Sequence, residues 1–137
     1  MKILTYGEIM EGGASVFQSV AKLDGDTLSV VLEGAIRADN PGLKLQGHVR
    51  ELTAALLEHR AEVRRVVIDF VELEFCNSSG FYVVMDLVES VYRGVDAPVT
   101  IRRVRDDDWQ QETLPILIDI DDPGIHARTR FDDVDTP

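Results

Sequence analysis

The sequence predicts an α/β domain built on a mixed β-sheet of about five strands. Two patterns support this fold class: short segments that alternate apolar and polar residues, and longer segments between them with helical spacing of apolar residues. Two strands joined by a tight turn come first, and helices then separate each later strand from the next. The first pair is expected to be antiparallel and the later strands to be parallel with right-handed crossovers, so the sheet is mixed.

The first half of the chain begins with a predicted β-hairpin. Residues 15–21 and 27–36 alternate in polarity on either side of the turn Asp24-Gly25-Asp26. Residues 1–14 contain three glycines and give no clear element. The strong loop signal Asp39-Asn40-Pro41-Gly42 then ends the hairpin segment.

Residues 43–60 are predicted to form a helix that packs against the core. Apolar side chains recur there at helical spacing, at Leu45, Val49, Leu52 and Leu56. His48 and His59 lie in the same helix but three turns apart, which is too far for them to share a metal ion. We expect both histidines to be ordinary residues on the surface or flank of the helix.

The second half of the chain predicts three more strands and two more helices. Residues 66–71 read as a strand covered on both faces, and an amphipathic helix then ends at Gly94 as its C′ residue. Residues 99–104 are predicted to be a strand, and residues 113–120 a short helix with Thr113 as N-cap and Pro115 in its first turn. Residues 125–131 are predicted to be a strand with one face in solvent, and residues 132–137 a frayed acidic tail. The whole chain, 1–137, is expected to be one domain with its core in about residues 15–131.

Composition and charge exclude several classes of function. The net charge is −11, which repels the phosphates of nucleic acids and anionic membranes, so neither is expected as a direct partner. No apolar segment is long enough to span a bilayer, and the first residues do not resemble a secretory signal. The single cysteine excludes an internal disulfide framework and favours a reducing compartment, so we expect a cytoplasmic protein.

The tetrapeptide Asn77-Ser78-Ser79-Gly80, called the serine turn below, is the most informative motif. It lies between a strand and the first turn of a helix, where hydroxyls are exposed near the positive helix end. One polar residue suffices to cap a helix, so three in succession exceed what capping needs. Gly80 costs helix propensity, and we interpret it as leaving bare surface for the close approach of another protein. The serine turn is therefore predicted to be a docking spot.

Catalytic and metal sites find little support in the sequence. No Gly-x-Ser-x-Gly elbow surrounds the serines, and nothing forces a histidine toward them. Cys76 is expected to be a small buried hydrophobe rather than a nucleophile. The acidic segment Asp119–Asp122 lacks the length and closing glutamate of a calcium hand, and no glycine-rich phosphate loop follows a strand. We therefore predict no catalytic residues, no metal and no cofactor.

The segment Phe75-Cys76-Asn77-Ser78-Ser79-Gly80-Phe81 resembles the signature of STAS domains, and most closely that of bacterial anti-sigma factor antagonists. The resemblance implies a STAS-like domain with helices mainly on one face of the sheet. It also implies a non-enzymatic module of a partner-switching pathway, phosphorylated on Ser78, with Ser79 as second choice. The implied partners are a serine kinase or anti-sigma factor with a histidine-kinase-like ATP-binding fold, and a metal-dependent serine/threonine phosphatase. The implied partner-binding residues are Asn77, Ser78, Ser79, Gly80 and Tyr82.

The sequence departs from the family pattern in two places. Asn77 stands where the family usually has aspartate, which keeps a capping group and removes a charge, and the usual last helix is missing. Two alternatives therefore stay open. The first is a constitutive scaffold that is never phosphorylated. The second is a small enzyme, which would need His126 or a carboxylate close to Ser78 or Ser79.

Overall fold

The computed structural model describes residues 1–137 as a mixed α/β fold with a seven-stranded sheet and four α-helices. The strands are β1 (Lys2–Glu11), β2 (Ala14–Asp24), β3 (Thr27–Ile36), β4 (Arg65–Asp69), β5 (Leu73–Cys76), β6 (Val99–Val104) and β7 (Thr129–Val134). The helices are α1 (Pro41–His59), α2 (Ser78–Gly94), α3 (Asp108–Leu117) and α4 (Pro123–Arg128), and one turn of 3₁₀ helix, Arg60–Glu62, follows α1.

The strand order across the sheet is β1-β2-β3-β4-β6-β7. The first three strands are antiparallel, and β3, β4, β6 and β7 are mutually parallel, so the predicted mixed sheet is confirmed. The sheet has seven strands where about five were predicted, because β1 and β5 were not recognised. β5 pairs with the end of β3, beyond the point where β4 stops.

One face of the sheet carries the core. Alternate strand residues such as Phe17, Val30 and Ile68 are fully buried with the apolar faces of α1, α2 and α3. The residues between them, such as Val31, Val67 and Asp69, remain half-exposed on the other face. The prediction of helices mainly on one face is therefore confirmed, whereas the prediction that the strand at 66–71 is covered on both faces is wrong. None of the helices is both long and apolar enough to cross a lipid bilayer.

The break between β4 and β5 is held by one buried side chain. The amide of Gln110, at the start of α3, donates to the carbonyl oxygens of Phe70 and Leu73 at 2.7 and 3.0 Å and accepts from the N–H of Val104 at 2.7 Å. Gln110 is fully buried, so water cannot reach these backbone groups to take the place of its amide. The amide thereby fixes the strand that leads into the serine turn.

The C-terminal region differs from its prediction. The short helix does not begin at Thr113: Asp107 caps α3 by accepting from the N–H of Gln110 at 3.0 Å, and Pro115 lies near the end of the helix. The predicted strand at 125–131 is also wrong, because residues 123–128 form α4. The last strand, β7, instead continues into the acidic segment that was predicted to be a frayed tail.

Ion pairs explain why the acidic segment joins the sheet. Asp133 lies opposite Arg103 of β6 and forms a salt bridge with it, and Asp132 lies opposite Arg102. The Arg103 guanidinium holds the pKa of the Asp133 carboxyl below its usual value. Paired charges on adjacent parallel strands thus stabilise the pairing of β7 with β6.

Both histidines of α1 are buried, so the prediction that they lie on the surface or flank of the helix is wrong. The His48 ring lies against Gly7 of β1, where a Cβ would come within 2.5 Å of the ring carbon Cγ. The Thr5 hydroxyl donates to Glu51 at 3.2 Å, so it accepts from Nδ1–H of His48 at 3.0 Å. The other ring nitrogen, Nε2, then accepts from the Ser19 hydroxyl at 3.0 Å. Desolvation in this cluster lowers the pKa of His48, which keeps the ring neutral.

Candidate functional site

The serine turn joins the end of β5 to the start of α2. Cys76 pairs with Ile36 of the parallel neighbour β3, and the N–H of Asn77 continues that ladder by donating to the Ile36 carbonyl at 2.9 Å. Ser78 is the first residue of α2 and Ser79 is the second. The sheet therefore places the first turn of α2 at the edge where β3 and β5 end.

Asn77 binds two separate segments with one amide. Its Oδ1 accepts from the N–H of Gly80 at 2.8 Å, which confirms the predicted cap, and its Nδ2 donates to the carbonyl of Ala38 at 3.0 Å. Ala38 lies in the loop that follows β3, so the side chain ties the start of α2 to that loop. An aspartate here could accept the first bond and could not donate the second.

Gly80 serves internal packing rather than access. It is buried, and a Cβ at this position would lie 2.6 Å from Cγ2 and 2.8 Å from Cβ of Ile36. The interpretation that Gly80 leaves bare surface for a partner is therefore wrong. Its missing side chain lets α2 approach β3 closely, and the same reasoning applies to Gly94, where a Cβ would lie 2.8 Å from Cβ of Leu56. Gly94 is the last residue of α2 rather than its C′ residue.

Both serine side chains are exposed, at the positive end of α2. Because Asn77 already occupies the N–H of Gly80, the N–H groups of Ser78 and Ser79 remain as the free donors of the first turn. A negatively charged group attached to either hydroxyl could accept from these donors without leaving solvent. The arrangement can thus carry an anion on its surface.

Aromatic side chains surround the serine turn. Tyr82 lies one helical turn after Ser78 and is 65% exposed. Its ring is nearly perpendicular to that of Phe81, with the two ring centroids 6.1 Å apart. Phe75 on β5 is 37% exposed. The centroid of its ring lies 6.5 Å from that of Trp109 and 5.1 Å from Cζ of the Arg37 guanidinium. Of this set, only Tyr82 was predicted from the sequence to bind a partner. The exposed ring of Phe75 was not predicted because β5 was not recognised, so its outward-facing positions could not be assigned.

A shallow hollow of about 220 Å³ lies beside Ser78. Its lining consists of Cys76, Asn77, Ser78, Phe81 and Tyr82. Neither a histidine nor a carboxylate lines it, so the enzyme alternative lacks a general base here. Cys76 is buried as predicted, and desolvation raises the pKa of its thiol to about 12, which keeps it protonated. No group of three or more metal-binding side chains gathers anywhere in the chain.

Comparison with known proteins gives matches among solved structures only. Neither a family model nor a curated protein matches the sequence. The chain is similar to the STAS domain of an antisigma-factor antagonist from Rhodobacter sphaeroides, with 23% identity, a TM-score of 0.40 and coverage of 63% of this chain and 85% of that one. It is also similar to the anti-sigma factor antagonist SpoIIAA in its unphosphorylated form, with 12% identity, a TM-score of 0.48 and coverage of 83% and 87%.

Proposed function

We propose that the protein is a non-enzymatic protein-binding module whose docking is switched off by phosphorylation of Ser78. The module would act as an anti-sigma factor antagonist of the STAS type in a bacterial partner-switching pathway. The observation that carries the proposal is the exposed Ser78 hydroxyl, which lies at the N-terminus of α2 beside a hollow and an exposed tyrosine.

The docking surface would centre on Ser78, Ser79 and Tyr82. Tyrosine anchors are common among the residues that contribute most to binding, and Tyr82 projects from the same side of α2 as Ser78. The hollow between them could receive one side chain of the partner. The partners implied by the sequence resemblance are a serine kinase with a histidine-kinase-like ATP-binding fold and a metal-dependent phosphatase.

The switch would work through electrostatics at the interface. A phosphate on Ser78 adds about −1.5 to −2 charges. In the free protein the charge would stay in water near the helix N-terminus, which favours it by about 0.3–1 kcal/mol. In a complex it would be buried against a surface shaped for a neutral hydroxyl. A cost of roughly 3–4 kcal/mol would lower the affinity several hundredfold, and the fold would not have to change.

The proposal is tested by isolating the protein from its native cells and mapping phosphate by mass spectrometry. We expect a phosphopeptide that contains residues 78–79, with the phosphate on Ser78, and its loss in a Ser78→Ala strain. A protein that carries no phosphate under any growth condition would refute the switch.

A constitutive scaffold is the second candidate, and the neutral Asn77 favours it. The Asn77 amide is needed for its bond to the Ala38 carbonyl, so its presence can be explained by structure without any kinase. A Ser78→Ala strain that keeps partner binding and a wild-type phenotype would support the scaffold.

A further inference from the structure

A groove with a volume of about 510 Å³ lies between the C-terminal half of α2 and the segment formed by α3 and α4. No residue of the serine turn lines it. Its aliphatic lining consists of Met85, Val88, Ile116, Leu117, Ile118 and Ile125. The Ile116 side chain is 69% exposed at this groove, so a large aliphatic group remains available for burial by another molecule.

The charged side chains of the groove leave an excess of negative charge. Both arginines have partners: Arg93 forms a salt bridge with Glu89 at 2.8 Å, and Arg128 donates to the carbonyl groups of Tyr92, Val95 and Ala97 at the end of α2. Asp119 and Asp122 also line the groove, both are exposed, and neither forms a salt bridge. Arg128 binds only neutral carbonyl groups, so its positive charge offsets one of these two carboxylates. The groove therefore combines an apolar floor with three carboxylates against two arginines, a net charge of −1.

The charge distribution selects among the possible occupants. A second copy of this chain brings a net charge of −11, and the C-terminal segment of this chain is itself acidic, so both would be repelled. An anionic membrane would be repelled for the same reason. A partner segment with lysine or arginine next to aliphatic side chains matches both features of the groove.

We propose that this groove is a second docking site, which binds a partner protein through a segment that presents aliphatic side chains beside lysine or arginine. The site is separate from the serine turn and does not depend on the function proposed for Ser78. A basic amphipathic helix is one segment that meets this description, since it exposes one aliphatic face with cations along its margin.

The test uses a fluorescently labelled helical peptide of leucine and lysine as the probe, titrated with the full-length protein and followed by anisotropy. A peptide with glutamate in place of each lysine is the control. We expect the leucine–lysine peptide to bind, with weaker binding at higher salt, and the leucine–glutamate peptide not to bind. Absence of binding by the first peptide, or equal binding by both, would overturn the proposal.

Matched variants locate the binding. Ile116→Ser removes the exposed aliphatic group and should weaken binding about tenfold, whereas Leu57→Ser, at a 65% exposed leucine outside the groove, should leave it unchanged. Asp119→Asn should weaken binding about two- to fivefold, and Asp121→Asn, which makes the same charge change outside the groove lining, should weaken it less. Equal effects within either pair would show that the peptide binds elsewhere and would overturn the proposal.

A Ser78→Asp variant separates this proposal from the previous one. Because Ser78 does not line the groove, this variant should bind the leucine–lysine peptide with wild-type affinity. Analytical ultracentrifugation provides a further check. A dimer that Ile116→Ser dissociates would show that a second copy covers the groove and would overturn the proposal.

Discussion

Replacing Gly80 with alanine should destabilise the protein, although alanine is the better helix former. Helix propensity alone predicts a gain of about 1 kcal/mol. The structure predicts a larger loss, because the new Cβ would lie 2.6 Å from Cγ2 and 2.8 Å from Cβ of Ile36, a fully buried residue of β3. The Ile36 Cβ is attached directly to the backbone, so no rotation of its side chain relieves that contact.

The expected size of the effect follows from these two opposing contributions. Overpacking a well-packed core costs about 1–3 kcal/mol, and a contact with an atom that cannot rotate away belongs at the upper end of that range. Subtracting the gain in propensity leaves a net loss of about 2 kcal/mol. The midpoint of thermal unfolding should fall by about 5–10 °C in a domain of this size.

The assay is urea denaturation followed by circular dichroism, with Gly47→Ala as the matched control. Gly47 lies inside α1, and no atom lies within 4 Å of the Cβ that alanine would add there. The control should therefore show the propensity gain alone, up to about 1 kcal/mol. A Gly80→Ala variant as stable as Gly47→Ala would refute the argument that Gly80 is required for the approach of α2 to β3.

Substitutions at three further positions test the contacts described above. The free energy of unfolding should fall as the pH is lowered from about 7 to 5. His48 has a folded-state pKa below the usual 6.5, so the unfolded chain takes up a proton in this range while the folded chain does not. His48→Gln should reduce this dependence of the unfolding free energy on pH in urea titrations. Gln110→Ala should cost about 3 kcal/mol in the same assay, since the Leu73 carbonyl and the Val104 N–H lose this partner and the Phe70 carbonyl keeps only the N–H of Leu73. Asn77→Ala removes two hydrogen bonds and should cost about 2 kcal/mol, whereas Asn77→Asp keeps the cap and should cost about half as much.

Each of these predictions has its own contradicting result. An unchanged pH slope in His48→Gln would show that another group causes the acid sensitivity. The exposed Gln46→Ala serves as the control for Gln110→Ala and should change stability by less than about 0.5 kcal/mol. Equal costs for Gln110→Ala and Gln46→Ala, or for the two Asn77 variants, would contradict the roles assigned to these amides.

Local signals in the sequence predicted much of the fold. The hairpin of β2 and β3, the bounds of β6, the core helix α1 and the capping of α2 by Asn77 all depend on residues close in sequence. The alternation of residues 125–131 was misleading because Asp122 caps a helix there, accepting from the N–H groups of Gly124 and Ile125. The following Pro123 occupies the first helical position, which is a start signal that the alternation obscured.

The features that were missed depend on contacts between distant residues. β5 has only four residues and is fixed by the side chain of Gln110, which lies 37 positions after Leu73, the residue of β5 whose carbonyl it binds. The burial of His48 requires Gly7, Thr5 and Ser19 from strands far from α1 in sequence. The role of Gly80 could be assigned only once the structure placed β3 beneath α2.

The exposure of the candidate site was predictable, whereas its surroundings were not. The exposed hydroxyls of Ser78 and Ser79 followed from their position at a helix start. The contact between Phe75 and Trp109, and the groove at the other end of α2, follow from the packing of α3. The serine turn is thus held by hydrogen bonds to β3 and to the loop that follows it, and its two hydroxyls remain exposed.

The most direct test of the proposed switch is the affinity of Ser78 variants for the native partner. The partner would be captured from native lysate on immobilised wild-type protein, identified by mass spectrometry and then produced separately for titration calorimetry. We expect Ser78→Ala to bind within a few fold of wild type and Ser78→Asp to bind more than about a hundredfold more weakly, with Ser79→Asp less affected. Equal affinity of Ser78→Ala and Ser78→Asp for that partner would contradict the claim that charge at Ser78 controls docking.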